Sequence, residues 1–432
     1  MKLFISTIIY HIAIQFKKIF PNLYIYLKKK KKLKNRIKNL TYLEIKVVNE
    51  DNFFSHVYDG FIDRRKNKKK TIYIDVSLYR TTNMKTGIQR VLTKLIKEFK
   101  RSSKYKDFRL SYCYFPNVDP NPCLAEYDLI SEKTIRYFMP NKNDLIFFID
   151  FDTHNINRNK DLISFLQNKK VKFASIVYDL LPYTNPEWFP VHYYKKIYHK
   201  WFNVIRKLDY VFTISKTVKS KLVRKFKLRK THHINPIMLG ANFVKKRKSL
   251  KVASKINKKD AKIRFLMVGT LEPRKGHMNI LKAFKILINK YKMNASLDVV
   301  GNLGWDYDNI LNFIHKNNKD NINLYTSVDD AMLEQFYRQS DALIAGSYDE
   351  GFGLPIVEAF YNDIKVIARD IEVFREVGQN KVFYFRKNST PKQLALYLKK
   401  WINNSSKLLP KYEKMTFATW KDTSDQILKK IL

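Results

Sequence analysis

The feature that most constrains this chain is an alternation of apolar runs and helix-spaced segments, made twice. From residue 71, TIYIDV (71–76), FRLSYCYF (108–115), DLIFFID (144–150), KFASIVYD (172–179), DYVFTIS (209–215) and HHINPI (232–237) read as strands. Helical spacing falls between several of them, as in TGIQRVLTKLIKEF and KTVKSKLVRKF. The polar, turn-rich stretch 245–262 interrupts the pattern and reads as a linker. The alternation then restarts with RFLMVG, SLDVVG, INLYT, DALIAG, KVIA and VFYF. Repeated strand–helix units imply parallel sheets wound on both sides, and 432 residues are too many for one ordinary domain. The expected organisation is a basic, partly apolar extension (1–70), a first Rossmann-like lobe (71–244), the linker (245–262), a second Rossmann-like lobe (263–410) and a closing helix (411–432).

With 45% hydrophobic and 14% aromatic residues, the chain has ample material for packed cores, which excludes wholesale disorder. Two cysteines, Cys113 and Cys123, form neither a disulfide framework nor a metal spacing and fit a reducing cytoplasm. The net charge of +44 implies an anionic partner: nucleic acid, an anionic membrane surface or a phosphate-bearing substrate. Abundant Lys, Asn, Ile, Tyr and Phe together also fit nucleotide bias in the genome.

The segment GSYDEGFGLPIVEAF (346–360) carries the most chemistry. DALIAG (341–346) reads as a buried strand feeding a turn, and Pro355 suits the first turn of the helix that follows. Gly351 and Gly353 let backbone amides approach a ligand closely where a helix starts with free N–H groups, an arrangement that binds anions. Glu358 stands one helical turn inside, eight positions after Glu350, where its carboxylate could accept hydrogen bonds from sugar hydroxyls. Upstream, FLMVGTLEPRKGHMNILKAFKIL (265–287) reads as strand, turn and amphipathic helix, with Leu281, Phe284 and Leu287 at helical spacing. Arg274 and Lys275 fall just past the strand's C-terminal end, where open α/β sheets bind ligands. Two cations there suit a diphosphate, Arg by a bidentate fork and Lys as a point charge.

EGFGLPIVE resembles the E-x7-E signature of the retaining glycosyltransferases of family four, which have the GT-B fold. That fold is α/β, with two Rossmann-like lobes facing across a cleft and a C-terminal helix that crosses back to the first. The resemblance implies a hexosyltransferase that takes its sugar from a nucleoside-diphosphate sugar and needs no cofactor or metal. GTLEPRKG (269–276) corresponds to the family's diphosphate-binding turn, so Gly269, Arg274 and Lys275 are expected to bind the donor. Glu350, Gly351, Phe352, Gly353, Leu354 and Glu358 are expected there too, with Glu358 on the ribose and Glu350 on the sugar. Arg274, Lys275 and Glu350 are also the expected catalytic residues, together with Asp179. Relatives with GTLEPRKG and DLLP-type loops include mannosyltransferases, so GDP-mannose is the first expectation. A glycan or lipid-linked precursor of a bacterial surface polysaccharide is the expected acceptor.

In the first set of elements, Thr86-Gly87-Ile88-Gln89-Arg90 opens a helix after a polar loop. Gly87 resembles the family's N-terminal glycine loop, which reaches the diphosphate; ordinary helix capping is the alternative. YDLLPYTNPEWFP (178–190) begins as a strand ends and contains Asp179, a candidate for holding the sugar or the acceptor hydroxyl, or simply a turn cap. Relatives often have a histidine directly before this aspartate; here Tyr178 stands in its place. Asp150 and Asp152 form the Asp-x-Asp pattern with which another glycosyltransferase fold, GT-A, holds a metal, and a metal is not expected here. His232 and His233, adjacent on an apparent strand, point to opposite faces and make no two-ligand site. Nucleotide-binding P-loop, zinc-protease and serine-hydrolase motifs are all missing from the sequence.

At the N-terminus, LFISTIIYHIAIQF (3–16) is short for a transmembrane helix, and no small-residue cleavage site follows it. With the lysine run 28–32 behind it, the segment reads either as a peripheral anchor on the inner face of the plasma membrane or as a helical extension of a cytoplasmic protein. FATWKDTSDQILKKIL (417–432) resembles the family's closing helix, with Trp420 in the core rather than serving as a ligand platform. Two other classes stay open: a basic nucleic-acid-binding protein, and a non-catalytic scaffold with the same fold. The first predicts exposed aromatics among basic residues, whereas these aromatics mostly sit inside apparent strands, so no nucleic-acid partner is expected.

Overall fold

The computed structural model describes residues 69–81, 87–104, 106–116, 123–150, 152–189, 194–228, 233–240, 262–317, 321–408 and 418–432. The expected N-terminal extension and linker lie outside these residues, apart from Lys69, Lys70 and Lys262. No helix of the described residues is long and apolar enough to cross a membrane. The chain divides into two compact units. One comprises the described residues within Met1–Met84, Lys100–Ser175 and Lys207–Asp209; the other comprises those within Lys85–Phe99, Ile176–Arg206 and Tyr210–Leu432.

In chain order the elements are β1 (Lys70–Asp75), α1 (Ser77–Thr81), α2 (Gly87–Ser102), β2 (Phe108–Tyr114), β3 (Leu124–Asp128), β4 (Lys133–Phe138), β5 (Leu145–Phe148), α3 (Thr153–Arg158), α4 (Lys160–Asn168), β6 (Lys172–Val177), α5 (Leu181–Thr184), α6 (Tyr194–Ile205), β7 (Tyr210–Thr213), α7 (Lys216–Lys225) and β8 (Ile234–Pro236). There follow β9 (Ile263–Val268), α8 (His277–Asn289), β10 (Ala295–Val300), α9 (Asp308–Lys316), β11 (Ile322–Tyr325), α10 (Asp330–Gln339), β12 (Ala342–Ala345), α11 (Leu354–Tyr361), β13 (Lys365–Arg369), α12 (Glu372–Gly378), β14 (Phe383–Phe385), α13 (Pro391–Leu408) and α14 (Trp420–Ile431).

The first sheet runs β4-β3-β2-β1-β5-β6-β7-β8. Its central strands are parallel and apolar on both faces: Ile72, Ile74, Leu145, Phe147 and Phe173 are fully buried. The sequence reading missed β3 and β4, an antiparallel pair that makes this sheet mixed rather than wholly parallel. Their charges hide them. Glu126 on β3 is buried because Ser111 Oγ donates to it at 2.5 Å and Arg136 Nε at 2.6 Å. A second correction concerns the histidines: β8 begins at Ile234, so His233 precedes the strand, and His232 lies outside the described residues.

The second sheet runs β11-β10-β9-β12-β13-β14, all parallel. Phe265, Leu297, Ile344 and Ile367 pack with Leu281, Phe284 and Leu287 of α8 and Trp401 of α13 in one core. At an open parallel sheet of this kind, the loops leaving the strands' C-terminal ends gather on one edge. Those after β9 and β12, the two central strands, carry the motifs read from the sequence.

Helix α14 starts at a capping box between Thr419 and Asp422 and buries Trp420, Ile427, Leu428 and Ile431, so Trp420 is core as expected. It packs on the chain that follows β8. Thr423 Oγ1 donates to the Met238 carbonyl at 2.7 Å, and a Cβ at Gly240 would stand 2.3 Å from the Trp420 nitrogen.

Candidate active site

The site is built by two turns. Strand β9 hands the chain to Gly269 (φ 152°), and a single 3-10 turn, Pro273–Lys275, presents Arg274 and Lys275 before Gly276 (φ 75°) opens α8. Gly276 must be glycine twice over: its φ is left-handed, and a Cβ would meet the Gly346 carbonyl oxygen at 2.3 Å. That contact seats the Arg-Lys turn against the end of β12. The Tyr348 N–H donates to the Arg274 carbonyl at 2.9 Å, and the chain reaches Gly353 (φ 99°), the N-cap of α11, with Pro355 in its first turn.

Glu350 lies between the two cations. Lys275 Nζ is 2.5 Å from its Oε1 and Arg274 Nη1 3.2 Å from its Oε2, while Ser347 Oγ donates to Oε1 at 2.7 Å. Burial pushes the Glu350 carboxyl up, but Lys275 and Arg274, with the hydrogen bonds from Lys275 and Ser347, outweigh it and hold it at about 2. Arg274 also pairs with Glu272, at 2.6 Å. Burial works against the Arg274 charge, yet Glu350, Glu272 and Asp179 hold its pKa above the usual guanidinium value. A pocket beside them is lined by Lys275, Ser347, Glu350, Gly353, Pro355 and Phe374.

Asp179 faces the same cluster. Its Oδ1 accepts the Leu181 N–H at 3.0 Å, the capping role weighed from sequence. Burial raises its pKa, and the Arg274 charge opposes that rise. Gly351 makes its close approach to the protein itself: a Cβ there would stand 2.0 Å from the Tyr178 carbonyl oxygen. Phe352 is 2% exposed and packs inward, so only its backbone can face a ligand. Gly87, the first residue of α2, lies near α11; a Cβ on it would stand 3.8 Å from Leu354 Cδ1.

Glu358 is 1% exposed, and protein groups hold both its oxygens: Arg90 Nη1 at 3.1 Å from Oε1, and Tyr337, whose hydroxyl donates to Oε2 at 2.6 Å. The sequence reading named Arg90 only as part of the segment that opens this helix. Its signal was the position one helical turn after Gly87, on the same face. Tyr337 carried no signal. His277, also missed, lies fully buried at the start of α8, and burial holds its imidazole down at about 4, neutral at physiological pH.

Asp150 and Asp152 belong to the other compact unit. Asp152 caps α3 through the Asn155 N–H at 2.9 Å, and Asp150 is 2% exposed. Among the described residues no group of three or more His, Cys, Asp or Glu is placed to hold a metal ion.

Residues 249–419 match the family model described as glycosyl transferases group 1. The serotype-specific mannosyltransferase WbdA of Escherichia coli is 27% identical over 389 residues, which cover 85% of this chain and 47% of WbdA. The O-antigen chain mannosyltransferase RfbU of Salmonella typhimurium is 26% identical over 210 residues, 48% of this chain and 55% of RfbU. The chain therefore spans about half the length of the curated relatives it matches. Among solved structures, Anabaena HepE in complex with UDP-glucose aligns with a TM-score of 0.54 at 15% identity, covering 83% of this chain and 94% of that one. Sucrose-phosphate synthase from Thermosynechococcus elongatus aligns at 0.56 with 11% identity, covering 84% and 94%. The fold is GT-B. Within it, residues 249–419 carry the likeness to the glycosyl transferases of group 1.

Proposed function

We propose that the chain is a retaining hexosyltransferase that moves a sugar, mannose first, from a nucleoside-diphosphate sugar to a glycan or lipid-linked acceptor in bacterial surface polysaccharide synthesis. The observation that carries the reading is Glu350 held between Arg274 and Lys275 at the N-terminal end of α11. Two part-buried cations and the free N–H groups of a helix start converge there, which is what a departing diphosphate needs. The mannosyltransferase relatives support the choice of sugar and acceptor class, and the UDP-glucose complex of a chain with the same fold supports a nucleotide sugar as donor.

In this reading Arg274, Lys275 and the amides from Gly351 to Leu354 stabilise the charge that grows on the diphosphate, with Gly269 and Gly87 beside it. Glu358 accepts the ribose hydroxyls, Glu350 the sugar hydroxyls, and Asp179 positions the acceptor. The acceptor oxygen bonds to the anomeric carbon on the face from which the phosphate oxygen leaves, and that phosphate oxygen takes the acceptor's proton. No protein nucleophile is assigned. A retaining glycosidase would instead place two carboxyl groups about 5–5.5 Å apart with one as nucleophile. The reading asks for no metal, because the protein's own cations meet the diphosphate. It also places the lysine-rich N-terminal segment at an anionic membrane surface, where each basic residue contributes roughly 1 kcal/mol.

The test is nucleoside-diphosphate release from a panel of nucleotide sugars with EDTA present, followed by the anomeric configuration of the product. Release dependent on acceptor, resistant to EDTA and giving the donor's own anomer is expected. An inverted product overturns retention. Absence of turnover with every donor, together with salt-sensitive retention of DNA, overturns the transferase reading.

A further inference from the structure

Glu358 is embedded in a charge network that the motif itself does not contain. The Arg90 guanidinium, on α2, bridges two carboxylates: Glu358 Oε1 at 3.1 Å and Asp330 Oδ1 at 2.9 Å. Lys94, one turn further along α2, stands 3.8 Å from Asp330 Oδ2. From α10 come Asp330 at the start and Tyr337 near the end, the latter donating to Glu358 Oε2. The groups acting on Glu358 are thus Arg90 from α2 and Asp330 and Tyr337 from α10, with Lys94 of α2 beside Asp330. Among the described residues, Arg90 is the one cation in contact with it.

We propose that Arg90 is a positioning residue for the donor: it balances the buried charge of Glu358 and fixes the turn of its carboxylate, so that the remaining lone pairs point at the ribose. The proposal rests on the reading of Glu358 as the ribose acceptor.

The geometry explains why such a residue is needed. A carboxylate 1% exposed resists ionising, and burial does push Glu358 upward, with Arg90 as the opposing cation. A protonated carboxyl has lost acceptor capacity and has become a donor itself, which suits a ribose hydroxyl less well. Arg90 also settles the geometry. With Oε2 held by Tyr337 and Oε1 by the guanidinium, the carboxylate plane cannot rotate without losing one of the two. A lysine would supply the charge but not the fork that spans Glu358 and Asp330 together.

The experiment compares wild type, Arg90→Ala and Arg90→Lys, titrated calorimetrically with GDP and UDP across pH. Wild type measured in parallel accounts for titration of the phosphate itself. Arg90→Ala is expected to bind roughly tenfold more weakly at the acid end of the series, the gap narrowing to about threefold at the alkaline end as the unpaired Glu358 ionises. Arg90→Lys should restore the flat pH profile while recovering only part of the affinity. Unchanged binding in Arg90→Ala, or a loss equal at every pH, overturns the proposal, since a purely structural contact would weaken binding evenly.

A second measurement needs no nucleotide. The fall in Tm caused by Arg90→Ala should grow as pH rises above the ordinary carboxyl range, because a carboxyl with a raised folded pKa loses stability as pH rises. In the Glu358→Gln background that growth should vanish. If the Tm loss is pH-independent in both backgrounds, Arg90 does not balance Glu358. Should wild type bind no nucleoside diphosphate, the functional reading of the site falls, and this stability cycle alone decides the role of Arg90.

Discussion

The Ser215 hydroxyl donates to the Gly351 carbonyl oxygen at 2.8 Å, joining residues 136 positions apart. Ser215 Oγ in turn accepts the Val218 N–H at 3.0 Å as the N-cap of α7, and Ser215 is 1% exposed. One buried hydroxyl therefore starts a helix and fixes the glycine turn that carries Glu350. Ser215→Ala leaves a helix N–H and a buried carbonyl without this partner. It should cost roughly 1–3 kcal/mol in denaturant unfolding and raise the donor KM more than it lowers kcat.

Gly351→Ala should do more damage to activity than to folding. The added Cβ would stand 2.0 Å from the Tyr178 carbonyl, which is backbone and cannot swing away. The turn must move by an ångström or more, taking Glu350 and the amides before α11 with it. A shift of that size costs on the order of 100-fold in rate. Steady-state kinetics with circular dichroism in parallel separates this from unfolding.

Glu350→Gln removes the charge that Arg274 and Lys275 share while keeping its shape. If Glu350 acts on the transferred sugar, nucleoside-diphosphate affinity should hold or rise, since two cations lose a competing anion. Turnover should fall on the order of 100-fold. Equal loss of GDP affinity and turnover would instead make Glu350 a mere support for the turn.

Asp75, in the other compact unit, gives a pH-dependent prediction. Burial, then the charges of Asp152 and Asp150, raise its carboxyl from 3.8 to about 8 against a hydrogen bond from Ser77. Because the folded pKa lies above the unfolded one, its stabilising contribution is complete below about pH 3.8 and is lost as pH rises towards 8. Asp75→Asn imitates the protonated form and keeps an acceptor for Ser77. The variant should match wild type in Tm near pH 4 and exceed it near pH 8 by several degrees.

Legibility from sequence followed how local each signal was. The strands of the second sheet are short, apolar and separated by good helices, so pattern alone found β9 to β14. Glu350 and Glu358 could be paired from sequence because a turn and one helix fix their separation. Strands β3 and β4 escaped because β4 exposes its first three residues and β3 buries a glutamate, which breaks the apolar alternation. Arg90 and Glu358 lie 268 positions apart, and no local rule links them. The partner of Tyr337 was equally invisible: a tyrosine on an amphipathic helix reads as core until its hydroxyl is seen 2.6 Å from a carboxylate.

The central claim is that the Arg274–Lys275 turn holds the diphosphate of a nucleotide sugar. The most direct measurement is a calorimetric titration of wild type, Arg274→Ala and Lys275→Ala with GDP-mannose and UDP-glucose in EDTA. The account predicts saturable wild-type binding to one of the two that weakens by about 100-fold in each variant, the loss of a charge-assisted contact to phosphate. Binding that is undiminished in both variants would contradict it, as would a wild type that binds neither.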